Sequence, residues 1–195
     1  MNLTNKELKL NIGGGYKKFP GYVNVDNDPL CNAEYQFDIT ESWPLAGNSV
    51  DAVIAHHVFE HLGDPGFFNF MQELYRVCKP NTLIEVVVPH HRHDCFLNDP
   101  THRRPITIEG MRLFSQSHNK YCIEVGDGSS RLGQNYNVDF EVVDFKFNID
   151  PMYQPMLKNM EPNSQQEHEF QIALRERNNM IVDVKFTLVV IKEEK

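Results

Sequence analysis

Three consecutive glycines, Gly13, Gly14 and Gly15, break the apolar run LKLNI, and a carboxylate, Asp26, ends the next apolar stretch, GYVNVD. Residues without a Cβ let bare backbone amides approach a ligand and take up positive φ. A second carboxylate, Asp38, directly follows the strand-like EYQF. Where adjacent parallel strands end in one crevice, Asp26 is placed to accept from ribose hydroxyls and Asp38, one strand over, from an adenine amine. Two counts disfavour a dinucleotide. The third small residue of that fingerprint is replaced by Lys18, and Asp26 comes 13 positions after Gly13, where an acid about 20 residues on is needed. Taken one at a time, either aspartate also reads as a simple turn former.

Histidines supply the other chemistry. Seven of the nine lie between positions 56 and 102, in AHHVFEHLG, VPHHRHD and NDPTHRRPIT. His57, Glu60 and His61 have the spacing that gathers three ligands near one face of a short helix, where a divalent ion would lower the pKa of a bound hydroxyl. His90, His91, His93 and Asp94 raise the same question. Packed or hydrogen-bonded histidines explain both sets more simply, so no metal is expected. In the third stretch Pro100 and Pro105 stiffen a loop that carries His102, Arg103 and Arg104, and a planar guanidinium there suits a carboxylate or phosphate. One of the two arginines is expected to pair with a carboxylate of the domain itself, and at least one to face substrate.

The elements that must position these groups alternate along the chain. Strand-type runs occur at 9–12, 22–26, 34–37, 51–56 and 82–88, with turn-rich or helical stretches between them, which reads as a mostly parallel sheet. Residues 67–78 place Phe67, Phe70, Met71, Leu74 and Cys78 on one helical face, with Pro80 and Asn81 as the stop. Residues 139–149 and 182–192 alternate apolar and polar positions like antiparallel strands with one wet face. Residues 150–181 read as a turn followed by a polar helix, and 115–138 as a long loop or lid.

A chain of 195 residues, with 41% hydrophobic and 24% charged residues, is one soluble globular domain. A net charge of −8 argues against a broad basic face for nucleic acid, which leaves that substrate disfavoured. The opening MNLTNKELKL lacks an apolar core of signal-peptide length, and no window reaches membrane-span length. Cys31, Cys78, Cys95 and Cys122 form no CxxC pair. A cytoplasmic protein without membrane contact is expected.

In order, LNIGGG, GYVNVD, FDITESWPLAGNSVDAVIAHHVFEHL, ELYRVCKPN and TLIEVVVP resemble the class I methyltransferases that use S-adenosylmethionine, in particular the small type 11 branch, over about residues 8–110. The resemblance implies an α/β Rossmann-like fold: a seven-stranded, mostly parallel sheet with an antiparallel last strand and helices on both faces. Residues 8–110 become the cofactor-binding core of a single domain, 1–195, and 111–195 its substrate-side loop and C-terminal antiparallel strands. Gly13, Gly14 and Gly15 would line the methionine end of the cofactor, Asp26 the ribose, Asn27 the adenine face, Asp38 and Ile39 the adenine edge, and His56 the backbone beside the sulfonium. Asn11 stands where the family carries an acid, and the link at about Tyr16–Phe19 is too short for a crossover helix. His57, His91 and His102 become the candidate bases, and Arg103, Arg104 and His61 the substrate contacts. The acceptor is expected to be an oxygen or nitrogen of a small molecule or glycan-linked group, an anionic one being suited to the arginines. Two rivals remain from other classes: a sensor that binds S-adenosylmethionine without turnover, and a metal-dependent hydrolase built on the histidines.

Overall fold

The computed structural model describes residues 7–158 and 160–193; residues 1–6, in which no signal peptide is expected, lie outside it. Six strands form one sheet: β1 (Lys9–Ile12), β2 (Val23–Val25), β3 (Val50–His56), β4 (Cys78–Pro89), β5 (Phe140–Ile149) and β6 (Ile181–Val190), in spatial order β2-β1-β3-β4-β6-β5. The first four run parallel, whereas β6 pairs antiparallel with β4 and β5 antiparallel with β6. The antiparallel end therefore falls where the alternating stretches predict it.

Seven strands become six because EYQF does not form one. Tyr35 makes a single parallel bridge to Val25, held by Tyr35 N donating to Asn24 O at 3.0 Å and Asp26 N donating to Tyr35 O at 3.1 Å. The run is half polar and four residues long, too little to propagate a ladder. Beyond it the chain turns at Asp38, which accepts from Thr40 N at 2.8 Å.

One amphipathic helix, α1 (Gly66–Val77), carries the core. Its buried residues Phe67, Phe70, Met71, Leu74 and Val77 recur at helical spacing. They pack with Trp43, Phe59 and the inward residues Leu10, Ile12, Val53, Ala55, Ile84, Val86, Phe186 and Leu188 of the sheet. Each such side chain contributes about 1.5–3 kcal/mol of burial. The helix ends as β4 begins: Cys78, whose thiol burial pushes up to about 12, is the first residue of the strand. Glu73 fixes the incoming loop by accepting from Trp43 N at 2.6 Å, and Arg76 beside it holds its carboxyl below the usual carboxylate range.

Right-handed crossovers put the β1–β2 connection on the face opposite α1, because the two connections cross the sheet in opposite directions. That connection holds no helix, as its length predicts, and the β2–β3 connection holds only a 3-10 turn, Pro29–Cys31. The second helical layer expected from the resemblance is reduced accordingly. On that face the register lines up polar groups: Asn11 beside Ile54, Glu85 beside Thr187, and Lys185 and Asp183 farther along β6.

Residues 115–138 are not a loop. They form α4 (Gln116–Glu124) and α5 (Leu132–Asn135), after the short α2 (Asp94–Leu97) and α3 (Ile108–Arg112). Capping overrides weak periodicity here. Ser115 accepts from His118 N at 3.0 Å, and buried Asn119 donates to Leu113 O at 2.9 Å. The polar segment after β5 folds as α6 (Gln154–Lys158) and α7 (Gln165–Glu176), the latter capped by Ser164. No helix among the described residues is long and apolar enough to cross a membrane.

Candidate active site

The glycine turn sits at the carboxyl end of β1, and its three members do different work. Gly13 has φ of +59°, and a Cβ there would stand 2.5 Å from a Val58 methyl. Gly14 leaves no room at all: a Cβ would stand 1.8 Å from Asn24 Oδ1 and 2.3 Å from Asn11 Nδ2. Gly15 has φ of +50° and faces open space.

Underneath lies a buried polar pair that the residue pattern does not announce. Asn11 Nδ2 donates to Asn24 Oδ1 at 2.6 Å and to Lys17 O at 2.8 Å, and Asn24 Nδ2 donates to Gly15 O at 3.0 Å. Asn11 therefore serves the loop: its amide occupies the place of the family's acid and holds the turn shut around itself. Asn24 was legible only as an alternating strand residue.

Asp26, at the tip of β2, reaches across to the same turn. Its Oδ2 accepts from Gly15 N at 2.8 Å and its Oδ1 from Asp28 N at 3.0 Å. A carboxylate oxygen accepts more than one hydrogen bond, so both retain capacity for a pair of hydroxyls. Asn27 is exposed next to it. Asp38 spends Oδ1 on Thr40 N and on the Thr40 hydroxyl at 2.7 Å, and is exposed, with Ile39 partly buried behind it against the core.

At the tip of β3, His56 Nε2 lies 2.8 Å from Glu85 Oε1 and its ring meets Phe19 edge-on. Burial lowers its pKa against the opposing pull of Glu85, which Lys185 also pairs at 2.6 Å. His57 follows with φ of +55° and an exposed ring. Its Nδ1 is 3.3 Å from Glu60 Oε1, and this carboxylate raises its pKa.

Among the histidines after β4, His93 shares the neighbourhood of Asp183 with His56 and His57. His90 is buried, which lowers its pKa to about 4, and its ring lies tilted against His91 with ring centroids 4.4 Å apart. His93 Nδ1 accepts from Cys95 N at 3.1 Å, so Nε2 carries the proton toward Asp150 at 3.3 Å. Both nitrogens of His93 are thus engaged within the fold. His90 and His91 line a cleft of about 510 Å³ together with Ile106, Phe145, Phe147 and Val184. A larger cleft of about 990 Å³ runs along α1 past Gln72, Arg76 and Lys192. It reaches Asn48 and Pro80 at the amino ends of the strands, away from the glycine turn, so the smaller one is the better placed for an acceptor.

Asp183 was missed in the sequence because an acid in an alternating strand looks like its wet face. Register puts it beside Pro89 at the end of β4. Burial raises its carboxyl pKa, while the nearby charges of His57, His93 and His56 pull it down and Glu60 pushes it up.

The two arginines separate. Arg104 Nε donates to Leu62 O at 3.0 Å, its guanidinium pairs with Asp64, and it lies 4.2 Å over the Phe67 ring. Arg103 is exposed. Replacing Arg104 by Met is expected to lower stability by about 1–2 kcal/mol through loss of the stack and the partly buried pair, whereas Arg103→Met leaves the melting temperature unchanged; differential scanning calorimetry of both reads the contrast. His61 and His102 sit together, ring centroids 4.6 Å apart.

Residues 22–86, a third of the chain, match the family model described as a methyltransferase domain. Over those residues the chain is similar to that family. Solved structures share the fold over almost the whole length of this chain. A SAM-dependent methyltransferase from Archaeoglobus fulgidus is 19% identical with a TM-score of 0.61, over 94% of this chain and 86% of that one. YcgJ from Bacillus subtilis is 14% identical with a TM-score of 0.56, over 97% and 94%. A SAM-dependent methyltransferase from Methanosarcina mazei is 12% identical with a TM-score of 0.55, over 98% and 95%. Among curated proteins no relative matches. S-adenosylmethionine, the cofactor that the resemblance implies, fits the glycine turn: a crowded Gly14 forces the backbone down onto Asn24 while Gly15 leaves its outer side open.

Proposed function

We propose that this protein is an S-adenosylmethionine-dependent methyltransferase that transfers a methyl group to an oxygen or nitrogen of an anionic small-molecule or glycan-linked acceptor. The observation that carries the cofactor half is the Asp26 carboxylate, fixed by Gly15 N and Asp28 N at the mouth of the glycine turn. In this reading Asp26 binds the ribose, Gly13 to Gly15 the methionine end, Asn27, Asp38 and Ile39 the adenine, and the His56 backbone the donor group. The bound sulfonium supplies a methyl group that is already activated, so alignment is the chief task left to the protein and is worth up to about 7–11 kcal/mol.

Acceptor chemistry falls to the residues after β3 and β4. Asp183, half-buried beside β4 and with its pKa raised by burial, holds the proton removed from the acceptor at a carboxylate oxygen. His57 lies within its field and orients or shares that proton, and His91 lines the neighbouring apolar cleft. Arg103, exposed on the stiff loop, is the guanidinium available to an anionic group, while Arg104 is occupied by Asp64 and Phe67. The four free cysteines suit a reducing cytoplasm.

Release of S-adenosylhomocysteine across a panel of paired anionic and neutral acceptors tests the reading. Turnover with an anionic acceptor is expected, with Arg103→Met raising its KM about 10-fold or more. Asp183→Asn is expected to lower kcat about 100-fold with cofactor affinity unchanged. Cofactor uptake without release across the panel would instead make the protein a sensor.

A further inference from the structure

Glu60 is the one residue whose buried polar atoms lack hydrogen-bond partners among those described. Its side chain is fully buried, and neither carboxylate oxygen takes part in a hydrogen bond. His57 Nδ1 approaches Oε1 to 3.3 Å as an ion-pair contact, outside hydrogen-bond geometry, and leaves Oε2 with nothing. A buried carboxylate without partners costs several kcal/mol, so a cation is the natural complement.

The neighbours of Glu60 are set up to supply one. Glu60, His61 and His102 bring ligand atoms within 4.8 Å of one another. The hydrogen bonds fix which ring nitrogen each histidine has free. His102 Nδ1 lies 2.7 Å from Phe96 O, and a carbonyl only accepts, so Nδ1 carries the hydrogen and Nε2 keeps its lone pair. Thr101 Oγ1 lies 2.6 Å from Asp99 Oδ1, to which its single hydrogen goes. It therefore accepts from His61 Nδ1 at 2.9 Å, and the lone pair of His61 is again on Nε2. This is the arrangement by which outer carbonyls and carboxylates prepare imidazoles for a metal. It contrasts with His93, whose two nitrogens are both consumed.

We propose that Glu60, His61 and His102 form a binding site for a divalent transition-metal ion of the zinc type. Two imidazoles and one carboxylate are a donor set for zinc or its first-row neighbours, not for calcium or magnesium. In tetrahedral coordination at about 2.0–2.1 Å the ligand atoms would stand about 3.3 Å apart, so the three groups close by at most about 1.5 Å on binding. Three protein ligands leave the fourth position to water. The ion would join the 3-10 turn Phe59–His61 to the 99–104 loop, which are already tied by Arg103 N donating to Glu60 O at 2.7 Å. The spacing of His57, Glu60 and His61 suggests a different triad. Folding turns the exposed His57 ring away from that role and brings in His102 from forty-one residues beyond His61.

The test is titration of the full chain, stripped with a chelator, with Zn2+ by calorimetry and with Co2+ by visible absorption. Expected are one equivalent bound and cobalt d–d bands of a four-coordinate nitrogen and oxygen site. His102→Ala and His61→Ala should each weaken binding at least 100-fold, and Thr101→Val, acting only by positioning His61, about 10-fold. His168→Ala, on the remote α7, should leave binding unchanged. Thermal melts of each metal-free variant separate misfolding from ligand loss, and Glu60→Gln adds an isosteric arm. Failure of the native chain to bind one equivalent, or binding that survives in both a folded His102→Ala and a folded His61→Ala, would overturn the site. Neither result bears on cofactor binding, which is read independently with S-adenosylhomocysteine.

Discussion

Asp26→Ala should weaken S-adenosylhomocysteine binding by about 100-fold to 10,000-fold in isothermal calorimetry. Two charge-assisted hydrogen bonds to ribose hydroxyls, each worth about 1.5–3 kcal/mol, account for a loss of that size. The effect is compounded because the same carboxylate holds Gly15 N and Asp28 N, so its removal also frees the two backbone segments that frame the site. Asp26→Asn separates the two contributions. An amide keeps one accepting oxygen for the turn but places a donor where the second acceptor stood, so affinity should fall with little loss of thermal stability. Binding within threefold of the native protein in both variants would remove Asp26 from the cofactor site and, with it, the register of the whole proposed pocket.

Gly14→Ala should cost at least as much by a different route. Its Cβ would stand 1.8 Å from Asn24 Oδ1 and 2.3 Å from Asn11 Nδ2, two buried groups that satisfy one another. The methyl must either break that pair, leaving buried amides unpaired at about 1–3 kcal/mol each, or push the turn outward into the space meant for the ligand. Either outcome lowers the melting temperature by roughly 4–8 °C or more and abolishes cofactor binding. Gly15→Ala is the informative partner. Nothing lies within 4 Å of its Cβ, so only the left-handed φ of +50° resists it, at about 1–2 kcal/mol. A stable Gly15→Ala protein that binds cofactor poorly, beside a Gly14→Ala protein that is itself destabilised, would be the signature of a turn whose inner side is packed and whose outer side faces a ligand. Equal behaviour of the two would show that conformation alone, and not packing, selects glycine here.

Local sequence determined a good deal of this protein. Alternating and continuous apolar runs placed six of the seven predicted strands, the last antiparallel pair among them, and failed at 34–37, and the spacing from Phe67 to Leu74 placed the core helix within a residue of its ends. These signals are legible because burial of one face repeats at the period of the element itself. The short link after the glycines also told in advance that no helix follows β1. The glycines and Asp26 were legible for the same reason, being neighbours in sequence that are neighbours in space.

Only the tertiary structure decided what depends on partners distant in the chain. It brought Asn24 under Gly14, and gave one arginine, Arg104, to Asp64 and Phe67 while leaving its neighbour Arg103 exposed. It also set Asp183 of β6 against the tip of β4, almost a hundred residues earlier. Among seven clustered histidines, it made His93 a structural bridge and set His61 beside His102 on the buried carboxylate of Glu60. A side chain's type fixes which hydrogen bonds and ligands it can form, but which of those are left free is settled by the groups that the fold packs around it, and those groups are not its sequence neighbours.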